Sequence, residues 1–237
     1  HYAELAGQLG VATDAIVGFT ETVTMLGDTT NLVGDAAAQQ IAKFANIMIG
    51  TEGQTNEYFS RLGSSVVDLG NNFATTEADI MNMSMRLATA GRQVGFTSQD
   101  VLGLATALSS VGIEAAAGGG SMSKMLKNVE YAVATNSEAL QAFADVSGMS
   151  AEQFIQLWGE DAPTAFGKLL EGIRKSENIT KTLDDLGITE VRMSNAMGAL
   201  AQNTDLYWNA ISKANSAFEQ NHAMAAEAEK RYGTLKS

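Results

Sequence analysis

The chain of 237 residues has no cysteine, one proline and two histidines. Without cysteine there is no disulfide framework, no thiol nucleophile and no thiolate ligand for a metal. His1 and His222 stand at opposite ends of the sequence, and no GxSxG-like turn is present, so neither an imidazole metal site nor a serine–histidine pair is expected. We therefore predict no enzyme activity and no catalytic, cofactor-binding or metal-binding residues.

Positive charge is also scarce. The chain has 15 lysines and arginines against 27 aspartates and glutamates, a net charge of −12. Because lysine and arginine supply most of the affinity for phosphate backbones, we expect no direct binding to nucleic acid. An acidic surface would suit a basic partner.

Charged residues make up 18% of the chain and hydrophobic residues 45%, which indicates a folded protein. The apolar residues are mostly alanine, leucine and methionine, and no stretch alternates β-branched residues, so we predict an all-α fold. We expect the 23 glycines to end helices of moderate length. Leucine–glycine or valine–glycine pairs occur at Gly10, Gly27, Gly34, Gly63, Gly70, Gly112 and Gly187, and we predict that most of them are helix stops.

Capping signals supply the helix starts: Thr76 with Asp79, Thr97 with Asp100, and Ser150 with Gln153. Together these patterns predict a compact multi-helix domain over residues 1–203. The helices are predicted over 12–25, 35–48, 54–68, 76–94, 98–110, 121–134, 137–146, 151–157, 163–174, 178–186, 189–201 and 204–231. Because the chain begins with histidine, we expect it to be a piece of a longer protein.

A run of three glycines lies in VGIEAAAGGGSMSKML, residues 111–126. A phosphate-binding loop needs glycine directly before its lysine and Ser or Thr after it. Here Ser123 precedes Lys124 and Met125 follows, so we predict a turn between two core helices. Residues 101–123 carry only one charge, Glu114, but a carboxylate near the centre of a bilayer would cost about 3 kcal/mol, so a buried helix pair is the better interpretation.

Two pairs of adjacent acids, Glu160–Asp161 and Asp184–Asp185, could in principle serve acid–base chemistry. The first pair lies shortly before Pro163, as acids do near the first turn of a helix, where the helix dipole favours them. We interpret both pairs as structural.

Residues 204–237 are predicted to form a separate unit, a long helix leading toward a coiled coil. Apolar or small residues recur there with alternating spacings of four and three, as in a heptad seam. The predicted partner-binding residues are Tyr207, Ile211, Ala214, Phe218, Asn221, Ala225, Ala228 and Tyr232. Packing of this helix on its own domain is the open alternative.

Five segments carry a resemblance to a known family. They are LGNNFATTEADI (69–80), QVGFTSQDVLGLATALSSVGIEAAAGG (93–119), FADVSGMSAEQFIQLWGEDAPTAFGKLLEGI (143–173), LDDLGIT (183–189) and NHAMAAEAEKRYGTL (221–235). In this order and spacing they resemble the folded helical region of phage tail tape measure proteins, with landmarks at Phe73, Phe154, Trp158 and Gly172.

This resemblance implies a structural role in tail assembly, tail length determination and genome ejection, in phages or prophages. It also implies a place inside the virion tail, and in the host cytoplasm during assembly. The implied partners are tail tube, tip or baseplate proteins, assembly chaperones and further copies of the chain, with membrane contact only through other parts of the parent protein. The chain lacks the very long coiled-coil tracts of the family. The alternatives are a cell-wall hydrolase or a membrane-active segment of the same tail protein.

Overall fold

The computed structural model describes residues 1–234, which form fourteen α-helices and no strand. The all-α prediction is therefore confirmed. The helices are α1 (Tyr2–Gln8), α2 (Ile16–Thr29), α3 (Gly34–Ile49), α4 (Asn56–Asn72), α5 (Glu77–Gln93), α6 (Ser98–Ser110), α7 (Gly120–Thr135), α8 (Glu138–Val146), α9 (Ala151–Glu160), α10 (Ala162–Lys175), α11 (Ile179–Asp185), α12 (Val191–Gln202), α13 (Thr204–Gln220) and α14 (Ala223–Thr234). Of these, only α1 has no counterpart among the predicted helices.

The three predicted N-caps are confirmed. The Thr97 hydroxyl accepts from the backbone N–H of Asp100, whose carboxylate accepts from the N–H of Thr97 at 3.0 Å. Ser150 and Gln153 form the same reciprocal box at the start of α9. Each box satisfies two backbone donors that the first turn of a helix leaves unpaired.

Glycine ends helices at only some of the proposed positions. The prediction is right at Gly10, Gly112 and Gly187, which follow helix ends with positive φ of 75°, 82° and 74°. It is wrong where the glycine begins α3 or lies inside α2 or α4, namely at Gly34, Gly27, Gly63 and Gly70. At Gly63 the missing side chain has a packing reason, because a Cβ there would lie 2.5 Å from the sulfur of Met224.

One half of the core is built around α6. Every residue of α6 from Asp100 to Leu108 is buried. Helices α5 and α13 pack on α6, α4 packs on α13, and α2 packs on α4, while α3 and α7 pack on α5. This arrangement explains why α6 is apolar nearly all round.

The other half of the core is built around α10. Helices α8, α9, α11 and α12 contact α10, and α13 contacts it as well. Leu169, Leu170 and Ile173 of α10 are fully buried. Since α13 packs on both α6 and α10, it joins the two halves of the core.

The prediction of one uninterrupted helix over 204–231 is wrong. The helix breaks after Gln220 and resumes at Ala223, and Asn221 takes a left-handed conformation with φ 52° and ψ 46°. Contacts with α4, which have no signature in the local sequence, hold this break. The domain division at residue 203 stays a prediction, and residues 235–237 of the predicted C-terminal unit lie outside the described residues.

Candidate interaction site at the C-terminal helices

Helix α13 lies very close to α6. A Cβ atom at Gly103 would stand 2.9 Å from the Cα of Ile211 and 3.0 Å from the carbonyl oxygen of Ala210. The small side chains of Ala210, Ala214 and Ala217 are buried on the same helix. Small residues on both helices therefore bring the two backbones together.

Polar groups between α4, α6 and α13 are paired. The Ser65 hydroxyl donates to the carbonyl oxygen of Ala214 at 2.9 Å, and the Asn215 amide donates to the carboxylate of Asp100 at 2.8 Å. Tyr58 and Ser98 share a hydrogen bond of 2.8 Å. Burial raises the pKa of Tyr58 to about 12, against a smaller lowering by the Ser98 bond, so this phenol stays neutral at physiological pH.

Arg61 of α4 caps the C-terminus of α13. Its guanidinium donates to the carbonyl oxygens of Phe218 and Glu219, both at 3.1 Å, and lies 5.9 Å from the centre of the Phe218 ring. Glu57 orients it through a contact of 2.6 Å. A cation at this position satisfies carbonyl groups that the helix end leaves unpaired and complements the helix dipole.

Two serines of α4 hold the link between α13 and α14. The side-chain oxygen of Asn221 accepts from the Ser60 hydroxyl at 2.8 Å and from the Ser64 hydroxyl at 3.3 Å. The N–H of Met224, in the first turn of α14, reaches Ser64 at 3.4 Å. Asparagine tolerates the left-handed conformation better than most residues, so its identity and its contacts favour the same bend.

Helix α14 runs back over α2 and α4. Of its twelve residues, only Met224 and Ala228 are buried. Near its end the Tyr232 hydroxyl donates to the carboxylate of Asp28 at 2.6 Å, and this bond raises the pKa of Tyr232. The helix is thus attached along one narrow face.

The predicted seam falls into three groups. Tyr207, Ala214 and Ala228 are buried, Ile211, Phe218 and Asn221 are half-buried, and Ala225 and Tyr232 are exposed. The buried stripe has the same heptad repeat as the predicted seam. At every second position it is shifted by one residue, so that Ala210, Ala217 and Met224 are buried in place of Ile211, Phe218 and Ala225. The predicted seam therefore overlaps the buried stripe only in part, and the buried residues of α13 depend on how closely small side chains let it approach α6. Partner binding by the seam stays a prediction.

The glycine run forms a closely packed connection, as the turn interpretation requires. Residues Ala115–Gly119 form one π-helical turn that leads directly into α7. A Cβ at Gly119 would lie 2.5 Å from the Cβ of Arg86, and the Ser123 hydroxyl donates to the carbonyl oxygen of Arg86 at 2.7 Å. Lys124 pairs with Glu190 at 3.0 Å and lowers the pKa of that carboxyl. The serine and the lysine of a supposed phosphate loop are therefore used within the fold.

The acidic pairs are also engaged in local structure. Asp161 caps α10 by accepting from the N–H and the hydroxyl of Thr164, and Glu160 accepts from Gln156. Asp185 pairs with Lys181 at 2.6 Å. Within residues 1–234, no group of three histidine, aspartate or glutamate side chains is placed to hold a metal ion.

Over the described range, no single helix is both long and apolar enough to cross a membrane. Helices α6 and α7, with the π-helical turn, meet the length and composition criteria only as a pair bent by 119°. The burial of α6 within this protein favours the interpretation as core helices.

Comparison with known protein families shows what this chain is similar to. A family model described as phage-related minor tail protein matches residues 2–183, which include α1 to α10 and most of α11. No curated protein and no solved structure matches the chain. The match covers well over half of the 237 residues and agrees with the resemblance to a phage tail protein. The chain belongs to the family of phage-related minor tail proteins and has a structural role in a phage tail.

Proposed function

We propose that this chain is a folded module of a tape measure protein, acting in tail assembly, tail length determination and genome ejection. The observation that carries the proposal is the overlap between the family match and the resemblance. The matched residues 2–183 contain three of the five segments that resemble tape measure proteins, namely 69–80, 93–119 and 143–173.

The use of polar side chains within the fold supports an assembly role. Ser123, Lys124 and Asp161 make intramolecular bonds that cap or join helices, and Asp185 pairs with Lys181 within α11. Side chains engaged in this way stabilise a defined surface. Such a surface is suited to binding other tail components.

The proposed partners are the tail tube, the tip or baseplate, assembly chaperones and further copies of the chain. Their place would be the interior of the virion tail, after assembly in the host cytoplasm. The net charge of −12 favours partners with a basic face. Self-association would use the part of the seam that remains accessible, Ala225 and Tyr232 together with the half-buried Ile211 and Phe218.

An in-frame deletion in the phage that produces this chain tests the proposal. Residues 1–203 would be removed from the parent protein, and tail lengths and infectivity would be measured by electron microscopy and plaque counts. A module acting as an extended helical ruler would shorten the tail by about 300 Å, since a helix rises 1.5 Å per residue. A module that stays folded would leave the length nearly unchanged but would prevent assembly or genome ejection.

A shortened tail supports all three proposed roles. Unchanged length with lost assembly or genome ejection supports the roles in assembly and ejection and contradicts the role in length determination. Particles with normal tail length and full infectivity would contradict the proposal. Turnover of labelled peptidoglycan by the purified chain would show a cell-wall hydrolase instead. Leakage from liposomes at neutral pH would show a membrane-active segment.

Self-association through the seam has its own test. Ala225 lies on the predicted seam and Ala226 lies beside it, and both are exposed on α14. If copies associate through the seam, Ala225→Glu lowers the mass measured by light scattering at high concentration, whereas Ala226→Glu does not. Equal behaviour of the two variants, or a monomer at every concentration, would remove the seam as an interface.

A further inference from the structure

We propose that Asn221 and His222 form a hinge between α13 and α14. Helix α14 acts as a strap, which detaches from α2 and α4 when α13 and α14 straighten into one helix. The hinge goes beyond the proposed function and is independent of it, because it concerns only the balance between two packings of the same segment. Three features of the C-terminal helices carry it.

The first feature is the origin of the bend. Neither residue of the link is glycine or proline, so its backbone can also take the ordinary helical conformation. The bend is held from outside, by Arg61 on the last carbonyls of α13 and by Ser60 and Ser64 on Asn221. Without these α4 contacts, the left-handed conformation of Asn221 is disfavoured relative to a continued helix.

The second feature is the unbroken register. The buried positions follow spacings of three and four on both sides of the link, from Ala210, Ala214 and Ala217 to Met224 and Ala228. The two link residues therefore keep the buried positions of α13 and α14 in the register of one continuous helix. A straight helix over residues 204–234 would be about 46 Å long and would carry all these side chains on one face.

The third feature is the limited attachment of the strap. Met224 enters the space that Gly63 leaves open and is the one large side chain of α14 that is buried. Beside the hinge a groove of about 430 Å³ opens between α2, α4 and α14, lined among others by Glu21, Asn56 and Ser60. The strap thus rests beside open space, and its packing is on α2 and α4.

Opening has a defined consequence for the surface. It uncovers the α2–α4 face around Thr22, Gly63 and Ser64, and it frees Met224 and Ala228 on the extended helix. Both surfaces are available to a partner only in the open form.

Distance measurements between two spin labels test the hinge. The chain has no cysteine, so labels can be attached at single introduced cysteines without background. One pair, Glu21→Cys with Ala226→Cys, crosses the hinge between exposed positions of α2 and α14. The control pair, Glu21→Cys with Ser212→Cys, joins α2 to an exposed position of α13 before the hinge.

Two independent variants are expected to open the strap. Asn221→Ala removes the residue that tolerates the left-handed bend, and Gly63→Ala places a Cβ 2.5 Å from the Met224 sulfur, its nearest contact, and 2.9 Å from Cγ2 of Thr22. We expect each to increase the population with a long distance in the first pair about fivefold or more, with the second pair unchanged. Gly159→Ala is the matched control, since no atom lies within 4 Å of a Cβ at that helical glycine.

Circular dichroism separates opening from unfolding. Straightening keeps or slightly raises the helical signal. The inference would be overturned if both variants keep the short distance of the unaltered chain. Loss of helical signal in both variants would overturn it too, because α14 would then be an inseparable part of the core.

Discussion

The hydroxyl of Tyr207 donates a 2.6 Å hydrogen bond to the carbonyl oxygen of Pro163, in the first turn of α10. Tyr207 is fully buried, and burial, with smaller contributions from Asp100 and Asp161, raises its pKa well above the usual value for tyrosine. This bond ties α13 to the half of the core built around α10. A residue predicted from its spacing as part of an intermolecular seam is therefore a central joint of the fold.

Replacing Tyr207 with phenylalanine removes this joint and leaves the ring in place. We expect the free energy of unfolding in urea to fall by about 1 to 2 kcal/mol, because the buried hydrogen bond is lost while the packing is retained. Tyr131→Phe is the control, since that side chain is 66% exposed. Equal stability of the two variants would show that the Tyr207–Pro163 bond contributes nothing.

The close approach of α6 and α13 gives a second prediction. Gly103→Ala would bring a Cβ within 3.0 Å of backbone atoms of α13, which cannot move as a side chain can. We expect a loss of about 1 to 3 kcal/mol in the free energy of unfolding, as for other overpacked cores. Gly159→Ala, in an open part of α9, should instead be neutral or stabilising by up to about 1 kcal/mol. Thermal unfolding of both variants distinguishes the packing effect from helix propensity. A Gly103→Ala protein as stable as the unaltered chain would contradict the close contact between α6 and α13.

A pH-dependent contact lies between Glu171 and Trp208. Partial burial raises the pKa of Glu171, but the hydrogen bonds from Trp208 at 2.8 Å and Lys168 at 3.3 Å, together with lysine charges, outweigh it and lower the pKa. A lowered pKa in the folded state means that the contribution to stability is present above the ordinary pKa of 4.5 and is lost as pH falls through the folded value.

Glu171→Gln should therefore cost about 1 kcal/mol of unfolding free energy at pH 7, and the difference from the unaltered chain should shrink as the pH falls below the ordinary carboxyl range. Trp208 fluorescence follows the same ionisation, and a Trp158→Phe background isolates it because the chain has only two tryptophans. A cost independent of pH would indicate a packing role for Glu171 in place of an electrostatic one.

Replacing Lys124 should have only a small effect on stability. Its ion pair with Glu190 joins two side chains that are 62% and 45% exposed, so solvent screens the attraction. Lys124→Gln should lower the free energy of unfolding by less than about 1 kcal/mol. Binding of inorganic phosphate, followed by calorimetry, should be undetectable in both proteins. Phosphate binding that depends on Lys124 would revive the phosphate-loop interpretation of residues 111–126.

Local signals located most of the helices. The caps at Thr97 and Ser150 fixed the starts of α6 and α9, because a side chain and a backbone group three residues apart can satisfy each other without help from the rest of the fold. Leucine–glycine pairs were ambiguous by comparison. Gly187 ends a helix and Gly63 lies within one, and only the side chain packed against Gly63 separates the two cases.

The candidate interaction site was only partly predictable. The heptad spacing predicted a seam that runs through Phe218 and Ala225, whereas the buried residues at these points of the helices are Ala217 and Met224. The bend at Asn221 depends on Arg61, Ser60 and Ser64, which are about 160 residues away in sequence. The spacing of residues within the helix carries no information about partners so distant in sequence.

The sequence by itself determined that this protein is all-helical and where most of its helices begin, because propensity, apolar spacing and capping act over a few residues. The tertiary structure alone decided which glycines let helices touch, which side of α13 is buried and that the C-terminal helix bends back. These features depend on contacts between residues distant in sequence, such as Gly63 with Met224 and Tyr207 with Pro163, and such contacts exist only once the helices have packed.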